Sequence, residues 1–294
     1  MDQWREVAPG VHHRRYQPVD VSVTAIVGST GVVVVDTRNN PAEAAAIEAD
    51  VLAAFGLPVV AAIDTHAHYD HSFGNQWFAR AGIPVYGHHR IPAHFARFEA
   101  PRLGRVQAQP GLEADKEWAE VVLTAPSVLV DRPTIVRPGG REVHLLPIER
   151  GHTDTDLAVF VPDVRVWALG DVIEQSGPPM FGSGSFPLSW PDALGRLLNG
   201  IDPGDVIIPG HGAVVDRAFV VEQAAALAEV AAFVRSSHAA GVPAEAVDAA
   251  AGRAAHPALA LWPDAFLRSA LADGYAELAE EEEAAAAEEE SSAP

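Results

Sequence analysis

The chain has 294 residues, 48% of them hydrophobic, enough to bury a sizeable core as one large domain or two small ones. Its 40 acidic and 20 basic residues leave a formal charge of −20, which repels phosphate backbones and anionic lipid and so excludes nucleic acid and membrane surfaces as partners. Cysteine is absent, which removes disulfides, thiolate metal ligands and cysteine nucleophiles.

In chain order, Met1-Asp2-Gln3-Trp4-Arg5-Glu6 lacks the basic and apolar regions of a signal peptide, and no apolar run downstream is long enough to span a bilayer. The expected location is cytoplasmic. After an N-terminal arm, the β-branched runs Val21 to Val27 and Val32 to Val35 read as a hairpin around Gly28 and Gly31. Pro41 opens an alanine-rich helix to about Phe55, and Val59 to Ile63 reads as a buried strand. Helices are expected over Phe73 to Ala81 and Arg90 to Phe98, with a surface loop over Ala100 to Leu112, where no period is visible.

Strands follow at Ser127 to Val130, Thr134 to Val136, Glu142 to Ile148, Leu157 to Val161 and Val164 to Leu169. A helix near Pro191 to Asn199, a strand at Val206 to Ile208, and helices over Asp216 to His238, Ala244 to Arg253 and Ala265 to Leu278 complete the globular part. Strands in two groups, each ending in helices, predict two packed sheets with helices outside. Residues 1–275 read as one domain, and 276–294, with the glutamate runs at 280–283 and 288–290, as a frayed or disordered acidic tail.

The strand at Val59 to Ile63 leads into His66-Ala67-His68-Tyr69-Asp70-His71. Three imidazoles and a carboxylate in six residues suit zinc, with iron or manganese also compatible. In extended chain His66 and His68 share one side, and a turn after Tyr69 would swing Asp70 and His71 toward a second point. Three more candidates stand after apolar runs beside small glycines: His152 in Gly151-His152-Thr153, Asp171 in Gly170-Asp171 and His211 in Gly210-His211-Gly212. Seven such donors are about what two ions need if one carboxylate bridges and water completes each shell.

These four motifs, in this order over roughly residues 20 to 240, resemble the metallo-β-lactamase-fold superfamily. The resemblance implies an αββα four-layer sandwich, two mixed sheets face to face with helices outside. It further implies that His66, His68 and His152 bind one metal, that Asp70, His71 and His211 bind the other, and that Asp171 bridges. Asp36, after Val32 to Val35, matches the family's first-motif aspartate, which supports the histidine loop, although a strand-terminal aspartate also caps turns.

Other residues keep two readings. Asp154 and Asp156 either orient His152 or cap their own turn. Met180, Phe181, Phe186 and Trp190 either wall a pocket or fill the core. His88 and His89 are candidates for the pocket wall, whereas His12, His13, His94, His238 and His256 are set outside the site. Gly182-Ser183-Gly184-Ser185 follows no strand and so lacks the setting of a serine nucleophile elbow.

The expected activity is dinuclear-zinc hydrolysis of a small carbonyl substrate (an ester, lactone, thioester or amide), with Asp70 orienting water and carrying a proton. No organic cofactor site is read, and a homodimer is compatible with the composition. By the family's habits, aspartate at 171 is unlike true β-lactamases, which place cysteine or serine there, and His68 replaces the glutamate of the diiron oxidoreductases. β-Lactam hydrolysis, a mononuclear-iron persulfide dioxygenase and a non-catalytic metal-binding module are the alternatives.

Overall fold

The computed structural model describes residues 3–292, and the arm expected at its start is an antiparallel hairpin, β1 (Arg5–Ala8) and β2 (Val11–Tyr16). Consecutive histidines and arginines mask the alternation of β2 in sequence, yet Val11, His13 and Tyr16 turn inward. β3 (Val21–Val27) and β4 (Val32–Val35) pair as expected, and α1 (Pro41–Phe55) follows. Three signals fix that helix: Asn40 accepts the Glu43 amide at 2.9 Å, Pro41 fits the first turn, and Gly56 ends it in the left-handed conformation.

β5 (Val59–Ile63) runs into the histidine cluster, whose second half winds into α2 (Tyr69–Ser72). Then come α3 (Asn75–Arg80), β6 (Val85–His88), α4 (Ile91–His94) and α5 (Ala100–Ala108), with a π-helical turn at Phe95–Glu99 between the last two. α5 corrects the expected surface loop. Only Leu103 and Val106 face inward from it, toward Phe73 and Trp118, which is too few apolar positions to print a period.

β7 (Val128–Val130), β8 (Thr134–Val136), β9 (Val143–Pro147) and β10 (Leu157–Val161) keep close to their expected bounds, but β11 (Val166–Glu174) extends five residues past Leu169. Asp171 therefore sits within a strand and not on a loop after one. α6 (Trp190–Leu198), β12 (Val206–His211), α7 (Arg217–Ala239), α8 (Ala249–Ala255) and α9 (Asp264–Ser292) follow.

α9 continues through the segment expected to fray. Glu277 and Leu278 are buried, and Arg235 pairs with Glu281 at 3.0 Å and Arg150 with Glu280 at 3.0 Å, so packing and charge carry the helix past Leu278. Alanine and glutamate, both strong helix formers, extend it further.

The strands join in the order β7-β6-β5-β4-β3-β12-β11-β10-β9-β8, with β2 and β1 attached beyond β3. Parallel and antiparallel pairs are mixed, and the two halves meet through one residue pair, His211 opposite Val21. The strands alternate across the layers. Val33 and Val35 join Leu157, Val159 and Ile208 in the core between the halves, whereas Val32 and Val34 pack with Ile47 and Val51 of α1. On the far side, Trp167 and Leu169 pack against Leu194 of α6, Val230 of α7 and Leu271 of α9. Helix, sheet, sheet and helix thus form four layers, each buried aliphatic side chain contributing about 1.5–3 kcal/mol.

Candidate metal centre

All seven donors converge where the two halves of the sheet meet. His66 and His68 lie on the bend after β5, Asp70 and His71 on α2, His152 on the loop between β9 and β10, Asp171 in β11 and His211 at the end of β12. Glycines permit the approach. A Cβ on Gly170, where φ is +54°, would fall 2.4 Å from Thr65 Oγ1, and one on Gly210 would fall 1.8 Å from Asp171 Oδ1.

The donors divide into two groups. Nδ1 of His68 lies 2.9 Å from Nε2 of His152, and Nε2 of His66 lies 3.8 Å from Asp171 Oδ2. On the other side, Nε2 of His71 and Nε2 of His211 are 3.2 Å apart, and Asp70 Oδ2 is 3.3 Å from the latter. Asp171 faces both groups. Its Oδ2 is 3.5 Å from His152 Nε2, while its Oδ1 is 3.1 Å from His71 Nε2 and 3.5 Å from His211 Nε2. Two donors about 2.0–2.1 Å from one tetrahedral ion lie about 3.3 Å apart, so the spacing fits metal.

The outward ring nitrogens support the same fit. Nδ1 of His66 contacts Thr65 Oγ1 at 3.1 Å, Nδ1 of His71 contacts Asp36 Oδ2 at 2.8 Å, Nδ1 of His211 contacts the Val19 carbonyl at 2.8 Å, and Nε2 of His68 contacts the Ser183 carbonyl at 3.0 Å. Each contact leaves the other nitrogen aimed inward. His66 Nε2 is buried with no hydrogen-bond partner, an arrangement costly to keep unless a cation completes it. An all-nitrogen and oxygen donor set suits zinc.

The two groups differ electrically. Burial, with the positive His71 nearby, holds His66 well below the ordinary histidine range; burial also lowers His68 to about 4 and His152 to about 3. These three are neutral, the state in which an imidazole is free to take a metal. Burial would lower His71 and His211 too, but Asp171 and neighbouring carboxylates raise both well above the ordinary value. Burial is likewise outweighed at Asp70, which His71 and His211 hold at about 2.

Asp36 anchors the cluster. Its Oδ1 accepts the Thr65 amide at 2.8 Å and its Oδ2 accepts Thr65 Oγ1 at 3.0 Å in addition to contacting His71. Asp154 does not reach His152 but faces His94 Nδ1 at 3.3 Å, so His94 is drawn into the surroundings of the centre. Asp156 accepts from the amide and hydroxyl of Thr153; Thr153 also contacts Thr155, whose Oγ1 accepts the Ala67 amide at 3.1 Å. That network ties the His152 loop to the His66 loop.

A cavity of about 350 Å³ opens on the donors, walled by Tyr69, Arg102, Glu174, Met180 and Ser183. Met180 thus belongs to the wall, whereas Phe181 and Trp190 are core and Phe186 stacks beneath Arg150. His88 and His89 do not line it; His88 instead takes the Arg90 amide at 3.2 Å. Sequence reasoning missed Glu174 and Arg102. Nothing local marks either residue: three past Asp171 in a regular strand is the opposite face, and Glu174 follows an irregularity of β11 between Gly170 and Glu174, while Arg102 reaches the cavity from α5.

Comparison with known proteins agrees with this geometry. Residues 16–211 match the model of the metallo-beta-lactamase superfamily, a span that includes all seven donors. Among solved structures, the metallo-beta-lactamase from Pontibacter korlensis is similar with a TM-score of 0.58 at 19% identity, over 77% of this chain and 99% of the other. The metallo-beta-lactamase from Hirschia baltica gives 0.58 at 18% identity, over 77% and 97%. The metallo-beta-lactamase FIM-1 from Pseudomonas aeruginosa, in its mono-zinc form, gives 0.60 at 21% identity, over 77% and 94%. At these identities the likeness is one of fold.

Proposed function

On the premise that the chain belongs to the metallo-β-lactamase superfamily, we propose that it is a hydrolase holding two zinc ions and cleaving a small carbonyl substrate. His66, His68 and His152 would hold the first ion, Asp70, His71 and His211 the second, and Asp171 both. The observation that carries this reading is Asp171, with one oxygen toward each imidazole group. A pair of divalent ions there would acidify a shared water toward neutrality and polarise the carbonyl under attack.

The chain's own residues supply the rest. Asp70, ionised and on the cavity wall, orients the attacking water and carries its proton to the leaving group as the carbonyl–leaving-group bond breaks. Asp36 and the Val19 carbonyl keep His71 and His211 pointed inward. Neither a serine nor a cysteine nucleophile is required.

β-Lactam hydrolysis is the second reading, favoured by the similar structures being metallo-beta-lactamases. The test is a screen of chromogenic esters, thioesters, lactones and a β-lactam with the zinc-loaded protein before and after chelation. Turnover that chelator abolishes and zinc restores is expected. Turnover indifferent to chelation would overturn the proposal.

A further inference from the structure

We propose that Glu99, acting through Ser183, is a positioning residue that fixes His68 with Nδ1 toward the metal centre, an inference resting on the reading of that centre as a metal site. His68 is distinctive among the imidazoles. His71 and His211 approach each other through Nε2, but His68 meets Nε2 of His152 with Nδ1. A half-turn of its ring would present the wrong nitrogen. What opposes that turn is the carbonyl of Ser183, which accepts from Nε2–H at 3.0 Å and so leaves the Nδ1 lone pair free.

That carbonyl belongs to a loop, and a loop carbonyl orients a ring only if it is itself held. The Ser183 hydroxyl donates to Glu99 Oε1 at 3.0 Å, and Glu99 ends the π-helical turn between α4 and α5. The flanking glycines permit the close approach. A Cβ on Gly182 would lie 2.9 Å from His68 Cε1, and Gly184, at φ +74°, would place one 2.8 Å from His94 Cε1. The Gly-Ser-Gly segment is therefore a strap lying against His68 and His94.

Glu99 is 1% exposed, and its other oxygen has no hydrogen-bond partner. Burying a carboxyl group this way costs stability, so its contribution is sought elsewhere, in the hydrogen bond it accepts from the strap.

The test uses the full chain titrated with zinc against a chromophoric chelator, which resolves the two binding steps. S183A and E99M both remove the tether, while E99Q keeps an oxygen acceptor. The tether-breaking variants are expected to weaken the first-ion step by about 10–100-fold and leave the second unchanged, with E99Q tracking wild type. In the metal-free chain, 15N spectra should show His68 protonated at Nε2 in wild type and E99Q, and as a tautomer mixture in S183A. Unchanged affinity and tautomer in S183A would overturn the inference, as would equal weakening of both steps. A wild-type chain that binds fewer than two ions speaks against the dinuclear reading alone, because the metal-free spectra still decide the state of His68.

Discussion

Gly210→Ala tests how the fold delivers the bridging carboxylate. The added Cβ would fall 1.8 Å from Asp171 Oδ1, 2.7 Å from the Asp171 amide nitrogen and 2.7 Å from the Gly170 carbonyl carbon. Cβ contacts under 3.0 Å are essentially never found, so the carboxylate must retreat by about 1.2 Å or more, whereas metal–ligand distances hold to about 0.2 Å. The two backbone contacts also push β11 from β12, an overpacking cost of about 1–3 kcal/mol. Disturbing residues that merely orient ligands costs about 10–100-fold in metal affinity, and displacing a shared ligand should cost at least that at both steps. Zinc titration against a chromophoric chelator, with thermal melts of the metal-free chain, reads both effects. Gly195→Ala is the control: it lies in α6 with open space around its Cβ position and is expected to stabilise by about 0.4–1 kcal/mol with zinc binding unchanged. A G210A protein that binds two zinc ions with wild-type affinity would refute the reasoning.

Asp36→Ala strands the Thr65 amide, the Thr65 hydroxyl and His71 Nδ1 in the interior, and should lower metal-free stability by about 3–5 kcal/mol in urea unfolding and weaken the second-ion step. Zinc uptake should depend on pH unequally. His71 and His211 are raised and must lose protons to bind, so second-ion affinity climbs through neutral pH with proton release, while the first step, on imidazoles already neutral, stays nearly flat; calorimetry in buffers of different ionisation heat measures this, and equal slopes would count against it. Burial raises Asp156 to about 8 from 3.8, so the folded metal-free chain keeps a proton that the unfolded chain releases. Its stabilising contribution is complete below about pH 4 and lost as pH rises through about 8; Asp156→Asn should flatten that decline in urea midpoints taken at about pH 5 and about pH 9.

The convergence of the seven candidate donors was legible because clustered polar residues beside glycines after β-branched strands have few packing explanations, and because their order along the chain matches a family. The αββα layering was legible from strands grouped in two sets. What sequence did not reveal depends on contacts distant in the chain. The β1–β2 hairpin hides behind consecutive histidines and arginines, with only Val11, His13 and Tyr16 of β2 turned inward, and α5 shows only two buried positions. Asp36 became an anchor, and not a turn cap, only once β4 lay beside β5 and Thr65 came within reach. His94 looked like any isolated histidine until Asp154, sixty residues away, and the strap closed on it.

The most direct test of the central claim is elemental analysis of the zinc-loaded protein after exhaustive dialysis, for wild type and Asp171→Asn side by side. The account predicts about two zinc ions per wild-type chain, as for a bridged pair, and a marked deficit when the shared carboxylate is lost. One zinc or fewer in wild type, or two retained in the variant, would contradict it.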